Sequence, residues 1–353
     1  MSDFEQTNLF AQQDANRRRS RWVVTLFMAF FFWLGFGADL LLWMASERPD
    51  AALAWTPRVP LLGIALTLIA AGMVIFVRRN GAERVLWSAG AWQLLHPEGE
   101  DQVRYVNVVE EMVIAASLPM PTLWIIEDPD PNAFATGLTP ERSHVAVTTG
   151  LLRTLDRDEL QGVIAHELGH IKSLDTQLMT LLAALVGAVL LMRDGIGRML
   201  RSGLRFGSRG GGGAGRSSGR GGKGAGPVLI VLGVIWVLSW MLAPLVLQLL
   251  SMWVSRQREY LADAMAAQFT RNPLALASAL SKVHQAHTPT TSIKAGVAHL
   301  CITDPLGRRL DEREGAFADL FATHPPMAVR ISRLRAMGFQ QQKRDGVFPA
   351  TAS

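Results

Sequence analysis

Four apolar runs constrain this chain more than any other feature of it. Trp22–Met44 is long enough to span a bilayer, with Asp39 near its far end, and Pro60–Val77 follows after a short loop. Thr176–Met192 and Val228–Leu250, the latter interrupted by Pro244 and Gln248, form a second pair. In hydrocarbon each backbone N–H and C=O needs a partner within the protein, so such runs fold as helices. With 49% of its 353 residues hydrophobic, the chain reads as a membrane protein with one water-exposed domain. A second hairpin buried inside a soluble domain is the other account; two apolar lengths standing beside two more favour the bilayer. The division is then a basic segment 1–21, a transmembrane hairpin 22–77, a first domain stretch 78–175, a second hairpin 176–250, a second domain stretch 251–340 and a tail 341–353.

The first run is preceded by Arg17, Arg18, Arg19 and Arg21, as a secretion signal would be, but it is too long and no convincing small-residue cleavage site follows. It reads as an uncleaved anchor with a cytoplasmic amino terminus, and Arg78, Arg79 and Arg84 after the second run put the domain on the same side. The loop 193–226 opposes this scheme, carrying eight basic residues, from Arg193 to Lys223, against Asp194 alone. Either the second hairpin enters the bilayer without crossing it, or this loop is an exception to the positive-inside tendency.

Within the domain stretches, residues 166–170 read His166-Glu167-Leu168-Gly169-His170. Asp156 and Glu159 have capping-box spacing, and Leu160, Val163, Ile164, Leu168 and Ile171 recur at helical period, so a helix is predicted to start before the motif and run through it. Two imidazoles one turn apart then grip a single Zn²⁺, with Glu167 beside the open coordination position as general base. Catalytic zinc takes a third protein ligand, and Glu259 is the candidate. Asp263, four residues on, shares its helical face and is placed to accept the outer N–H of a ligating histidine. The alternative for Glu259 and Asp263 is a solvated pair balancing Arg256 and Arg258.

These residues carry a resemblance. The chain resembles the HtpX family of membrane-integrated zinc metallopeptidases, relatives of the CAAX prenyl endopeptidases, in four segments: 131–137 ahead of a strand at 145–150; His166 to His170 with Asp175 after it; Ser255 to Asp263; and Thr323-His324-Pro325-Pro326 followed by Arg330. The resemblance implies an α+β zincin-type catalytic domain joined to an α-helical transmembrane part. It implies one zinc ion per chain, Asp175 as a supporting carboxylate, and a histidine near the metal, His324, to stabilise the tetrahedral oxygen, with Arg330 orienting it. The other role for His324 is to cap a helix starting near Met327. Leu123–Ile126 and Val145–Thr148 read as strands; together with the resemblance they make Asn132 and Ala133 contact points on an exposed edge for an extended substrate. The task implied is quality control of damaged membrane proteins, at a bacterial inner membrane with the active site facing the cytoplasm. A prenyl-peptide endopeptidase, a non-catalytic peptidase-like scaffold and a membrane adaptor are the competing readings.

Composition excludes other classes. Cys301 is the only cysteine, so neither an intramolecular disulfide nor paired-cysteine zinc ligation is possible. The Gly/Arg-rich tract 208–224 has no aromatic residue for base stacking and reads as a basic linker meeting anionic headgroups of the lipid bilayer, so no nucleic acid partner is expected despite the net charge of +5. His284 and His287 have no carboxylate at useful spacing and read as solvated.

Overall fold

The computed structural model describes residues 4–46, 59–185, 231, 233–239, 256–286, 300–302 and 325–344. Two compact units result, one drawn from Met1–Ser20, Val77–Ala184 and Leu249–Ser353, the other from Arg21–Phe76 and Leu185–Gln248. The loop 193–226, His324 and most of the second apolar hairpin lie outside the described residues.

Two helices long and apolar enough to cross a membrane supply most of the described residues of the second unit. α1 (Phe4–Ser46) and α2 (Leu61–Ser88) contain stretches with mean hydropathy 1.9 and 2.3. α1 starts well before the apolar run, because the polar residues ahead of Trp22 continue the helical period and bury Asn16 and Ser20. Phe32, Trp33 and Phe36 on α1 and Leu68, Ile69 and Ile75 on α2 are exposed, the outward apolar face that a lipid solvent accepts. Gly35 lets the two backbones meet: a Cβ there would stand 2.4 Å from the Leu62 carbonyl oxygen. Asp39, unexpected in an apolar run, is buried and accepts the Gly63 N–H at 3.0 Å, satisfying one of the unpaired donors in the first turn of α2.

The other unit is a four-stranded mixed sheet covered on both faces. β1 (Ala91–Gln93), β2 (Thr122–Ile126), β3 (Ala133–Gly137) and β4 (Ser143–Thr148) stand in the order β1-β2-β4-β3, with β2 and β4 parallel and both outer pairs antiparallel. Successive side chains alternate between faces. Leu123, Ile125, Ala133, Ala135, Val145 and Val147 enter the main core. Trp124, Ile126, Phe134 and Ala146 enter a second layer with Val85, Leu86 and Ala89 from the end of α2.

The main core is closed by α3 (Gly99–Ala116), α5 (Arg157–Lys172), α6 (Arg256–Thr270), α7 (Pro273–Gln285) and α8 (Met327–Arg344), with a short α4 (Thr149–Thr154) between β4 and α5. α3 buries Tyr105, Val108, Val109, Met112 and Val113 at helical spacing. α5 begins on the expected capping box, with Asp156 accepting from the Glu159 N–H and Glu159 accepting from the Asp156 N–H. Glu159 is also held by Ser278 and Lys282 of α7, at 2.7 and 2.6 Å, which fixes where α5 enters the core. Gly162 makes the α5–α7 approach possible, since a Cβ there would lie 2.9 Å from the Leu276 backbone. Residues 175–185 are helical; Leu178, Leu181 and Leu182 are buried, and Ala183 joins the second layer, so the first turns of the third apolar run belong to this unit.

Candidate metal centre

α5 carries both histidines of the motif on one face, and α6 brings a carboxylate to meet them. His166 Nε2 lies 3.2 Å from His170 Nε2 and 3.7 Å from Glu259 Oε2, while His170 Nε2 lies 3.6 Å from Glu259 Oε1. Tetrahedral ligands at zinc-type bond lengths are separated by about 3.3 Å, so three donor atoms at these spacings fit around one ion. Among the described residues this is the group arranged to hold a metal.

Each imidazole is oriented from behind. His166 Nδ1 is 3.0 Å from Asp263 Oδ1, and His170 Nδ1 is 3.2 Å from Asp175 Oδ2. Carboxylates in these positions fix the tautomer that presents Nε2 forward. Arg330, with no exposed surface, grips Asp263 as a fork, Nη2 at 2.8 Å and Nε at 3.0 Å, and stands 3.2 Å from Glu259. Arg258 is buried too, 3.5 Å from Asp175. The Glu259–Asp263 pair is thus no solvated pair: one helix turn brings Glu259 beside the two imidazoles and sets Asp263 behind His166.

The charges around these donors suit a cation. Four buried carboxyl groups, Glu167, Asp175, Glu259 and Asp263, face two buried guanidiniums, Arg258 and Arg330, so with both imidazoles neutral, as metal ligands are, acidic groups outnumber basic ones and a cation is favoured among them. Burial disfavours the His166 imidazolium, yet Asp263 and Glu259 outweigh it and lift its pKa to about 9. Burial pushes the Asp263 carboxyl upward, but Arg330 and His166 overcome that and hold it at about 2. Burial raises the Glu167 carboxyl above the usual range, against the opposing pull of the two imidazoles. A raised, desolvated carboxyl is suited to taking and returning a proton near neutral pH.

The edge of the sheet reaches the same cavity, though not as an exposed edge. Ala135, rather than Asn132 or Ala133, lines it together with His166, Glu167, His170, Glu259 and the segment Leu300–Ile302. β3 is the outer strand, but four of its outward backbone groups are paired within the chain. Asn132 Oδ1 accepts the Ala133 N–H at 3.0 Å, and the Ala133 carbonyl accepts the Ile302 N–H at 2.9 Å. The Ala135 N–H donates to Glu167, and the Gly137 N–H to Thr180 Oγ1 at 3.0 Å. The sequence pattern shows an outer strand, whereas what covers it comes from residues far along the chain.

Residues 100–338 match the family model described as peptidase family M48. The chain belongs to peptidase family M48. It is 34% identical to the protease HtpX homolog of Streptococcus gordonii over 331 residues, which cover 93% of this chain and all of that one. It is 43% identical to the protease HtpX homolog of Tropheryma whipplei strain Twist over 240 residues, or 68% of this chain and 74% of that one. The crystal structure of S. mikatae Ste24p aligns with 89% of this chain and 66% of its own at TM-score 0.42 and 18% identity, too distant to bear on the site. As an M48 metallopeptidase, the chain hydrolyses peptide bonds in a metal-dependent reaction.

Of the residues expected from sequence, His166, Glu167, His170, Glu259, Asp263, Asp175 and Arg330 come together. Asn132 stands at the head of β3 with its side chain turned onto Ala133. Arg258 appeared in sequence only as a counter-charge, and Thr180, Ile302 and Asn16 carried no signal, since each reaches the site through contacts 28 to 169 residues away along the chain.

Proposed function

We propose that this M48 peptidase is a zinc-dependent endopeptidase of the bacterial inner membrane that cuts misfolded or damaged membrane proteins on the cytoplasmic side. The observation that carries this reading is the convergence of His166, His170 and Glu259 within bonding reach of one ion, beside the buried carboxyl of Glu167. The donor set supports zinc: two imidazoles and one carboxylate with a fourth position open is a catalytic zinc arrangement. The two apolar helices and the resemblance to HtpX peptidases support the membrane setting and the quality-control task.

When bound, zinc supplies a Lewis acid that polarises the scissile carbonyl and acidifies water. The chain's own residues handle the protons and the pose. Glu167, held by the Ala135 N–H and raised by burial, takes the proton of the attacking water and returns it to the departing amine. Asp263 and Asp175 keep the two imidazoles in the ligating tautomer. A substrate extended along β3 pairs with the Ala133 carbonyl by displacing the Ile302 N–H from it.

The test is hydrolysis of an unfolded casein-type substrate in detergent, with bound zinc measured in the unchanged protein and in Glu167→Gln. Zinc in both with turnover lowered at least about a hundredfold in the variant supports the reading. Equal turnover by the two proteins removes Glu167 as the base, and zinc in neither removes the ligand set.

A further inference from the structure

The carboxylate behind His170 is itself held by the amino-terminal helix. Asn16 is fully buried, and its Nδ2 donates to Asp175 Oδ1 at 2.6 Å and to the Ser173 carbonyl at 3.0 Å. Having two acceptors on one side fixes which end of the amide faces Asp175. Ser173 is the C-cap of α5, so its carbonyl is among those a helix end leaves without an intrahelical partner. One turn earlier on α1, Gln13 Nε2 donates to the Lys172 carbonyl at 2.6 Å, serving another.

The surroundings of Asp175 show what Asn16 adds. Oδ2 takes the Ser173 hydroxyl at 2.7 Å and faces His170 Nδ1, while Oδ1 takes Asn16 and stands 3.5 Å from Arg258. Ser173 is only two residues from Asp175 and moves with it. The Asn16 hydrogen bond is therefore the short tether tying this carboxylate to a different element, and a carboxylate held on both oxygens keeps its aim on the ring behind which it sits.

We propose that Asn16 is a positioning residue of the metal centre, acting through Asp175 on His170, so that α1 sets the ligand geometry as well as anchoring the chain. This rests on the metallopeptidase reading above. Losing the amide leaves Asp175 Oδ1 with only the more distant Arg258, slackens the carboxylate's aim on His170 and loosens the metal. Replacing an outer partner of a ligand weakens metal binding by roughly 10 to 100-fold; acting through one more residue, Asn16 is expected near the lower end, about tenfold.

The experiment uses the full-length protein in detergent, with Zn²⁺ affinity from chelator competition and the visible spectrum of the Co²⁺-substituted form. Asn16→Ala is compared with Gln13→Ala, which removes a neighbouring helix contact that does not touch Asp175. Weaker Zn²⁺ binding and an altered Co²⁺ spectrum in Asn16→Ala alone, partly restored in Asn16→Gln, are the expected result. Equal losses in both variants make the contact simple helix docking and overturn the proposal, as does unchanged affinity in a folded Asn16 variant. If Asn16→Ala does not fold, Asn16→Ser is read by the same criteria. Failure of the unchanged protein to bind Zn²⁺ would strike the metal reading itself, a separate outcome.

Discussion

Replacing Arg330 with methionine removes the guanidinium fork and keeps an unbranched side chain in its place. Arg330 is completely buried, with two hydrogen bonds of 2.8 and 3.0 Å to Asp263 and a 3.2 Å approach to Glu259. Deleting one partner of such a buried pair costs about 3–5 kcal/mol, because the remaining carboxylates keep their desolvation without their counter-charge. In the metal-free protein the protonated His166 still faces Asp263, which places the expected loss near the lower bound, about 3 kcal/mol. For a unit of this size, that lowers the unfolding midpoint by roughly 6–12 °C, to be followed by circular dichroism in detergent with chelator present. Arg330→Lys restores the charge without the fork and should recover about half of the loss. A midpoint within roughly 2 °C of the unchanged protein for Arg330→Met would refute the ion-pair reasoning. So would a cycle with Asp263→Asn in which the two losses simply add, since paired residues couple by about 0.5–3 kcal/mol.

Gly162→Ala should destabilise by about 1–3 kcal/mol, because the new methyl meets the Leu276 backbone, although alanine in an open helix position stabilises by up to about 1 kcal/mol; denaturant midpoints give the sign directly. Ile302→Pro removes the N–H that covers the Ala133 carbonyl, so KM for an extended peptide should fall with kcat nearly unchanged, and an unaltered KM would count against pairing of substrates along β3. Stripping the metal with a strong chelator should abolish hydrolysis, and Zn²⁺ restored to a hundred times its dissociation constant should return activity and raise stability by about 2.7 kcal/mol; activity that survives chelation would exclude the metal-dependent reaction.

Local patterns were the most legible part of this protein. The Asp156–Glu159 capping box and the apolar period after it place α5, and that helix presents His166 and His170 together, because spacing by four is a property of any α-helix. Glu259 and Asp263 are likewise readable as a pair. The strands expected at 123–126 and 145–148 are β2 and β4, which begin one and two residues earlier. β1, only three residues long, has too few side chains to show a period. The partner of Asp39 is a backbone donor 24 residues away, which no local pattern in the apolar run indicates.

The sequence by itself determined the helix with the His166–His170 pair, the apolar helices and the kinds of donor group they carry, since each depends on residue types at fixed short separations. Only the tertiary structure decided what surrounds them. Asp263 rather than solvent stands behind His166, Arg330 neutralises Asp263 across 67 residues, Ile302 covers the edge of β3, and Asn16 reaches Asp175 across 159. Such contacts join side chains whose separation along the chain has no period, and they exist only because packing the sheet and the helices around one core brings their ends to the same place.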